Sequence, residues 1–153
     1  MGIRYAYPLF LLRRKYFMIQ IYSTNINFAE NSAIPFENIV LDKGCAEKLS
    51  APATIELEQR GVYLVKVDGF GTGSEAGTDT VQLYVNGVAQ AQAQSQFTTT
   101  TAGISNFGFN CLVQVAQNNC NCNCFSAPTV LQIRNGEQAL TDGHINVIVT
   151  KLC

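Results

Sequence analysis

Six cysteines, at positions 45, 111, 120, 122, 124 and 153, are the side chains of this 153-residue chain best suited to covalent or metal chemistry. Three of them alternate with asparagine in Asn119-Cys-Asn-Cys-Asn-Cys-Phe125, so that in an extended strand Cys120, Cys122 and Cys124 would present their sulfurs on one face. The spacing is not the Cys-x-x-Cys of zinc ribbons or thioredoxin-like redox centres, and His144 is the one histidine that could complete a metal site. Disulfides within or between chains, a bound metal, and free thiols in a tight loop are three open readings for Cys45, Cys111, Cys120, Cys122, Cys124 and Cys153.

The other reactive types resolve more simply. His144 follows a turn residue, Asp142, and no Ser or Cys stands where a nucleophile elbow would put it. Glu56 and Glu58 share a strand face, the pattern of a solvated edge more than of an acid/base pair. The glycine-rich stretch Gly69-Phe-Gly-Thr-Gly-Ser-Glu-Ala-Gly77 has a strand before it, but a phosphate-cradling loop also needs a helix after it, and another strand begins near Thr80. The reading is of a non-enzymatic protein with no cofactor.

The elements that carry these residues are strands. Val81, Leu83 and Val85 point one way and Gln82 and Tyr84 the other, up to Asn86-Gly87, the strongest short hairpin signal. Beyond it, Val88 leads to Ala89, Ala91, Ala93, Ser95 and Phe97 on one side and Gln90, Gln92, Gln94 and Gln96 on the other. A two-faced hairpin of this kind buries one side and wets the other, which calls for a second sheet. Further period-two runs lie at 18–28, 36–41, 54–58, 61–70, 104–116, 128–134 and 144–153, with 50–53 read as a loop. In the strand from Gly61, Val62 and Leu64 oppose Tyr63, Val65 and Val67, so both faces are apolar and one of them must be covered by something besides the partner sheet. In the strand from Ile104, Phe107, Phe109, Cys111, Val113 and Val115 share the core side. Short strands at roughly ten-residue spacing with turn chemistry between them predict an all-β sandwich.

Composition sets further bounds. At 47% hydrophobic and 14% charged, the chain is globular in balance, with length enough for one core. The net charge is −1, yet Arg4, Arg13, Arg14 and Lys15 all fall in the first 17 residues with no acid among them; taking away these four positive charges leaves the body at −5. A nucleic-acid face on the body is excluded. Residues 1–29 read as a basic, apolar N-terminal arm and 30–153 as the folded domain, with Arg13, Arg14, Lys15, Tyr16, Phe17, Ile19 and Ile21 as candidate docking residues. Pro8 to Leu12 is too short for a signal core and no run suits a membrane helix, so neither is expected; Met18 offers an alternative start.

The order of the strands carries a resemblance: Gly61-Val-Tyr-Leu-Val65 in mid-chain, the Asn-Gly hairpin after it, a long apolar strand, and a closing strand. It resembles the jelly roll of tumour necrosis factor, of the globular head of the first complement component, and of the C-terminal domain of collagen-like spore-surface proteins. It is most similar to small bacterial and phage proteins of this type, which share Gly44-Cys45 and the ending Thr150-Lys151-Leu152. What the resemblance implies is a two-sheet antiparallel jelly-roll sandwich forming a homotrimer, with Tyr63, Val65, Phe107, Phe109, Val147 and Val149 as candidate threefold contacts. It also implies that Cys120, Cys122, Cys124 and Cys153 meet at one end as a disulfide or metal staple, with Cys45 near the other end and Cys111 as its neighbour. The implied function is a capsid decoration, head fibre or knob on a phage virion, docked on a capsid or other virion protein through the arm and meeting a host surface protein or glycan. The alternative is a bacterial cell- or spore-surface adhesin that binds through the Gly69–Gly77 and Thr98–Gly103 loops.

Overall fold

The computed structural model describes residues 17–116 and 127–153. Ten strands are present among them: β1 (Met18–Phe28), β2 (Asn38–Lys43), β3 (Glu47–Ala51), β4 (Thr54–Leu57), β5 (Gly61–Gly73), β6 (Gly77–Val85), β7 (Val88–Thr99), β8 (Ile104–Val115), β9 (Thr129–Arg134) and β10 (Leu140–Lys151). They form two five-stranded antiparallel sheets, ordered β2-β1-β10-β5-β8 and β3-β4-β9-β6-β7, the jelly-roll sandwich that the strand order implies. Among the described residues no helix is long and apolar enough to cross a membrane.

The alternation read from the sequence is what fills the space between the sheets. Ile19, Ile21, Tyr63, Val65, Ile145, Val147 and Val149 come from the first sheet, and Ile55, Leu83, Leu131 and Ile133 from the second; all of them are fully buried. Phe28 meets Phe107 edge-on with ring centroids 6.0 Å apart, and Phe107 stacks on Phe97 at 5.8 Å. These inward faces close one continuous core.

The Asn86-Gly87 hairpin forms as expected. Both turn residues have positive φ, 50° and 79°, the signature of a type I′ turn whose twist suits the flanking strands. An added Cβ at Gly87 would meet nothing within 4 Å, so Gly87→Ala is expected to lose about 1 kcal/mol, from the left-handed backbone alone. Urea denaturation checks this, with Gly87→Asn recovering most of the loss.

Four expectations need correction. Residues 18–28 are a full strand between β2 and β10, so the sandwich begins at Met18 and not at residue 30. The 50–53 stretch was expected to be wholly loop, yet β3 runs to Ala51, because Glu47 to Leu49 find partners in Leu57 to Ile55. The glycine-rich stretch is mostly strand, since β5 continues to Gly73 and β6 starts at Gly77. Finally, the regular amide face of β7 is interrupted. Register shifts between Gln82↔Gln94 and Tyr84↔Ala89, so Leu83 alone faces Gln90 to Ala93, and Ala89 and Ala91 are exposed while Ala93 is buried.

Candidate functional site

The sandwich has a foot and a tip. Phe17, at the entry to β1, accepts a backbone hydrogen bond from Lys151 at the end of β10, and Val62 at the start of β5 donates to the Cys153 carbonyl. Val115, closing β8, pairs with Gly61, so both described chain ends and the point where 117–126 departs share the foot. At the opposite end Gly73 and Gly103 are joined by a backbone hydrogen bond, which brings the 74–76 and 100–103 turns together at the tip.

The outward face of β10, β5 and β8 is the broadest candidate contact surface. Leu64 lies opposite Leu112 in register, and Ile104 lies opposite Thr72 two residues from Phe70. Exposure of these four runs from 36% at Leu64 and 40% at Phe70 to 61% at Leu112 and 70% at Ile104. Phe70 stacks on the His144 ring at 5.4 Å, and Tyr22 stands 6.5 Å from the same imidazole. Between the two apolar ends lies a polar belt in which Asn146 receives from Gln20 and donates to Asp68. His144 is thus an aromatic neighbour of Phe70 and Tyr22 on a strand face.

The six residues expected at a threefold contact do not lie on this face. Tyr63, Val65, Val147 and Val149 are fully buried and Phe107 is 5% exposed, all turned toward the opposite sheet of the same protomer. The physical reason is the period of two: in β5 and β10 the most apolar phase is spent on the protomer's own core, and the surface belongs to Leu64, Phe70 and their neighbours. Phe109, on the edge strand β8, is the one of the six that keeps surface, being only half-buried. The docking arm needs the same correction. Ile19 and Ile21 are core residues of β1. Phe17 is half-buried, with the Lys151 ammonium 5.5 Å from its ring centroid. Arg13, Arg14, Lys15 and Tyr16 lie outside the described residues.

The foot gathers the ionisable groups. Gln59 bridges it, donating to the Cys45 sulfur at 3.4 Å and accepting from Lys151 at 3.1 Å. Cys45 therefore sits at the same end as Cys153, not at the opposite one. Cys45, Cys111 and Cys153 are free thiols; Cys111 is buried in the core, which pushes its pKa up to about 11. Cys120, Cys122 and Cys124 lie outside the described residues, and among those described no cluster of His, Cys, Asp or Glu could hold a metal ion.

Beside this bridge Glu47, only 3% exposed, closes the gap between the sheets with neither carboxylate oxygen hydrogen-bonded. Burial pushes its pKa up to about 7; Asp42 adds to the rise and Lys151 opposes it. Tyr63, whose hydroxyl donates to the Gln59 carbonyl at 2.7 Å, is likewise raised to about 12, by burial first and by Glu47 second. Sequence reading missed Glu47, because its neighbours Ala46 and Lys48 give no sign that a strand starts there.

Glu56 and Glu58 both pair with Lys48 on the outer face of the second sheet. Asp79 is 2% exposed. Burial raises its pKa, while the backbone amides of Thr80, Gln138 and Glu137 aim at the carboxylate and lower it, though none makes a well-formed hydrogen bond. Its Oδ1 lies just beneath Gly136, where a Cβ would come within 2.2 Å. That position ties the β9–β10 turn to β6.

No protein-family model matches the chain, and no curated protein sequence matches it. Solved structures do. The chain is similar to Eiger TNF from S. frugiperda at 13% identity and a TM-score of 0.66, covering 92% of this chain and 94% of that one. It is similar to the globular domain of zebrafish Complement 1qA protein at 7% identity and a TM-score of 0.64, covering 89% and 96%. The PRD1 vertex protein aligns at 16% identity and a TM-score of 0.51, again over 89% and 96%. At such identities the likeness is one of fold, and the fold is a TNF-like jelly roll.

Proposed function

We propose that this chain is a non-enzymatic structural protein: a homotrimeric jelly-roll knob that decorates a phage virion, docks on a capsid or other virion protein through residues 1–16, and turns its tip toward the host surface. The observation that carries the reading is the exposed set Leu64, Phe70, Ile104 and Leu112 on adjacent strands of one sheet. Large apolar side chains grouped on one face are costly in water and mark an association surface. A stable contact of standard size removes about 1,600 Å² in total, and at ~25 cal/mol per Å² the apolar part offsets the loss of rotational and translational freedom. The resemblance to a phage vertex protein supports the virion setting, and the foot, where both described chain ends emerge, suits mounting on a shell.

An adhesin on a bacterial cell or spore surface is the second reading. The pairing of the 74–76 and 100–103 turns at the tip supports it, since these are the loops that would meet a partner.

Light scattering on the purified chain at micromolar concentration is expected to return a trimer mass, and the double variant Leu64→Glu/Leu112→Glu a monomer with an unchanged far-ultraviolet spectrum. A wild-type protein that stays monomeric overturns the trimer. A trimer that survives the double charge moves the contact to another face.

A further inference from the structure

The outer face of the second sheet carries a groove that neither the trimer nor the tip loops use. Its floor is Thr80, Gln82 and Tyr84 of β6 together with Arg134 at the end of β9, and its volume is about 290 Å³. One wall is built from two crossing turns: Asn31 donates from its backbone to Gly136, Asn135 donates to Ser32, and Ala33 bridges to Arg134. Asn135, itself 3% exposed, holds that wall by donating from its side chain to the Gln138 carbonyl at 2.6 Å.

Arg134 is the one charged residue lining the groove. Its guanidinium lies 4.6 Å from the Tyr84 ring centroid, and its Nε and Nη2 donate to Gln132 Oε1 at 3.3 and 2.8 Å. Ring and amide fix the plane of the cation and leave the Nη1 edge uncommitted, with no carboxylate partner among the described residues. The rest of the groove's lining is uncharged; it includes Thr80, Asn31, and Gln82, whose Nε2 donates to the Gln90 carbonyl at 3.1 Å and so leaves its Oε1 to accept.

A planar, preoriented guanidinium edge matches a carboxylate, and flanking amides and hydroxyls match the vicinal hydroxyls of a sugar ring. Dense negative charge does not fit. The adjoining stretch of the same face is lined by Asp79 and Glu137, and the body carries −5. We infer that this groove binds a saccharide bearing a single carboxylate, with Arg134 taking the carboxylate and Gln82, Thr80 and Asn31 the hydroxyls. The site is complete within one protomer and lies on the sheet opposite the proposed trimer face, so it stands or falls apart from that reading.

Nuclear magnetic resonance titration of the full chain tests it, following the Arg134 Nε–H and Tyr84 ring signals. Methyl β-D-glucuronide is expected to shift both signals and to bind at least tenfold more tightly than either methyl β-D-glucoside or acetate. Arg134→Gln, with its remaining spectrum unchanged, should lose that tenfold for the glucuronide and leave the glucoside where it was; Gln82→Ala should weaken the glucuronide without touching acetate. Equal binding of acetate and glucuronide, equal binding of glucoside and glucuronide, shifts confined to other residues, or an Arg134→Gln protein that binds as well as wild type each overturn the proposal.

Discussion

Replacing Glu47 with glutamine is expected to stabilise the protein by about 3 kcal/mol above roughly pH 8 and to change little below roughly pH 4. The carboxyl titrates near its ordinary 4.5 in the unfolded chain and at about 7 in the folded one. Between those values the native state holds a proton that the unfolded state has released, so stability falls as pH rises through that window and is flat on either side. Above it the folded protein carries a carboxylate at 3% exposure with no hydrogen bond, facing the distant counter-charge of Lys151 and the like charge of Asp42. Glutamine keeps the volume and removes the charge. Urea midpoints measured from acid to mildly alkaline pH should slope downward for wild type and lie nearly level for Glu47→Gln; two parallel curves would falsify the assignment.

The second large effect is in the core. Phe28→Ala is expected to lose about 3–5 kcal/mol, a large share of the 5–15 kcal/mol typical of a whole domain. Phe28 is fully buried, it makes the edge-on contact with Phe107, and its ring fills the space beside Gly143, where a Cβ would stand 2.6 Å from the ring tip. Gly143→Ala alone therefore overpacks the site, at a cost of about 1–3 kcal/mol. In the Phe28→Ala background the same methyl enters vacated space, although the Ile26 carbonyl at 2.9 Å still crowds it. A double-mutant cycle by chemical denaturation should show the two losses summing to clearly more than the loss in the double variant. Strict additivity would show that Phe28 and Gly143 do not share this space.

Much of the architecture was legible because a period of two leaves little choice. Val81 and Leu83 against Gln82, and Phe107, Cys111 and Val113 against Asn106 and Asn110, fixed both the strands and their inward faces. The Asn86-Gly87 pair announced its turn for the same local reason. Long-range facts were not legible. No local pattern says that β1 sits between β2 and β10, or that Glu47 is sealed between the sheets. The candidate contact residues Tyr63 and Val65 turn out to be core because the sequence shows two apolar phases in β5 but not which one the second sheet covers. The Arg134–Tyr84 pair lies 50 positions apart in the chain, and only the register of β6 with β9, which sets Tyr84 opposite Gln132, brings cation and ring together.

The shared exit of both described chain ends beside Cys45 gives the molecule a direction. Cargo fused to Cys153 would emerge at the foot, beside Phe17 and the start of β5. A peptide inserted between Gly73 and Gly77 would stand at the far pole, clear of both sheets.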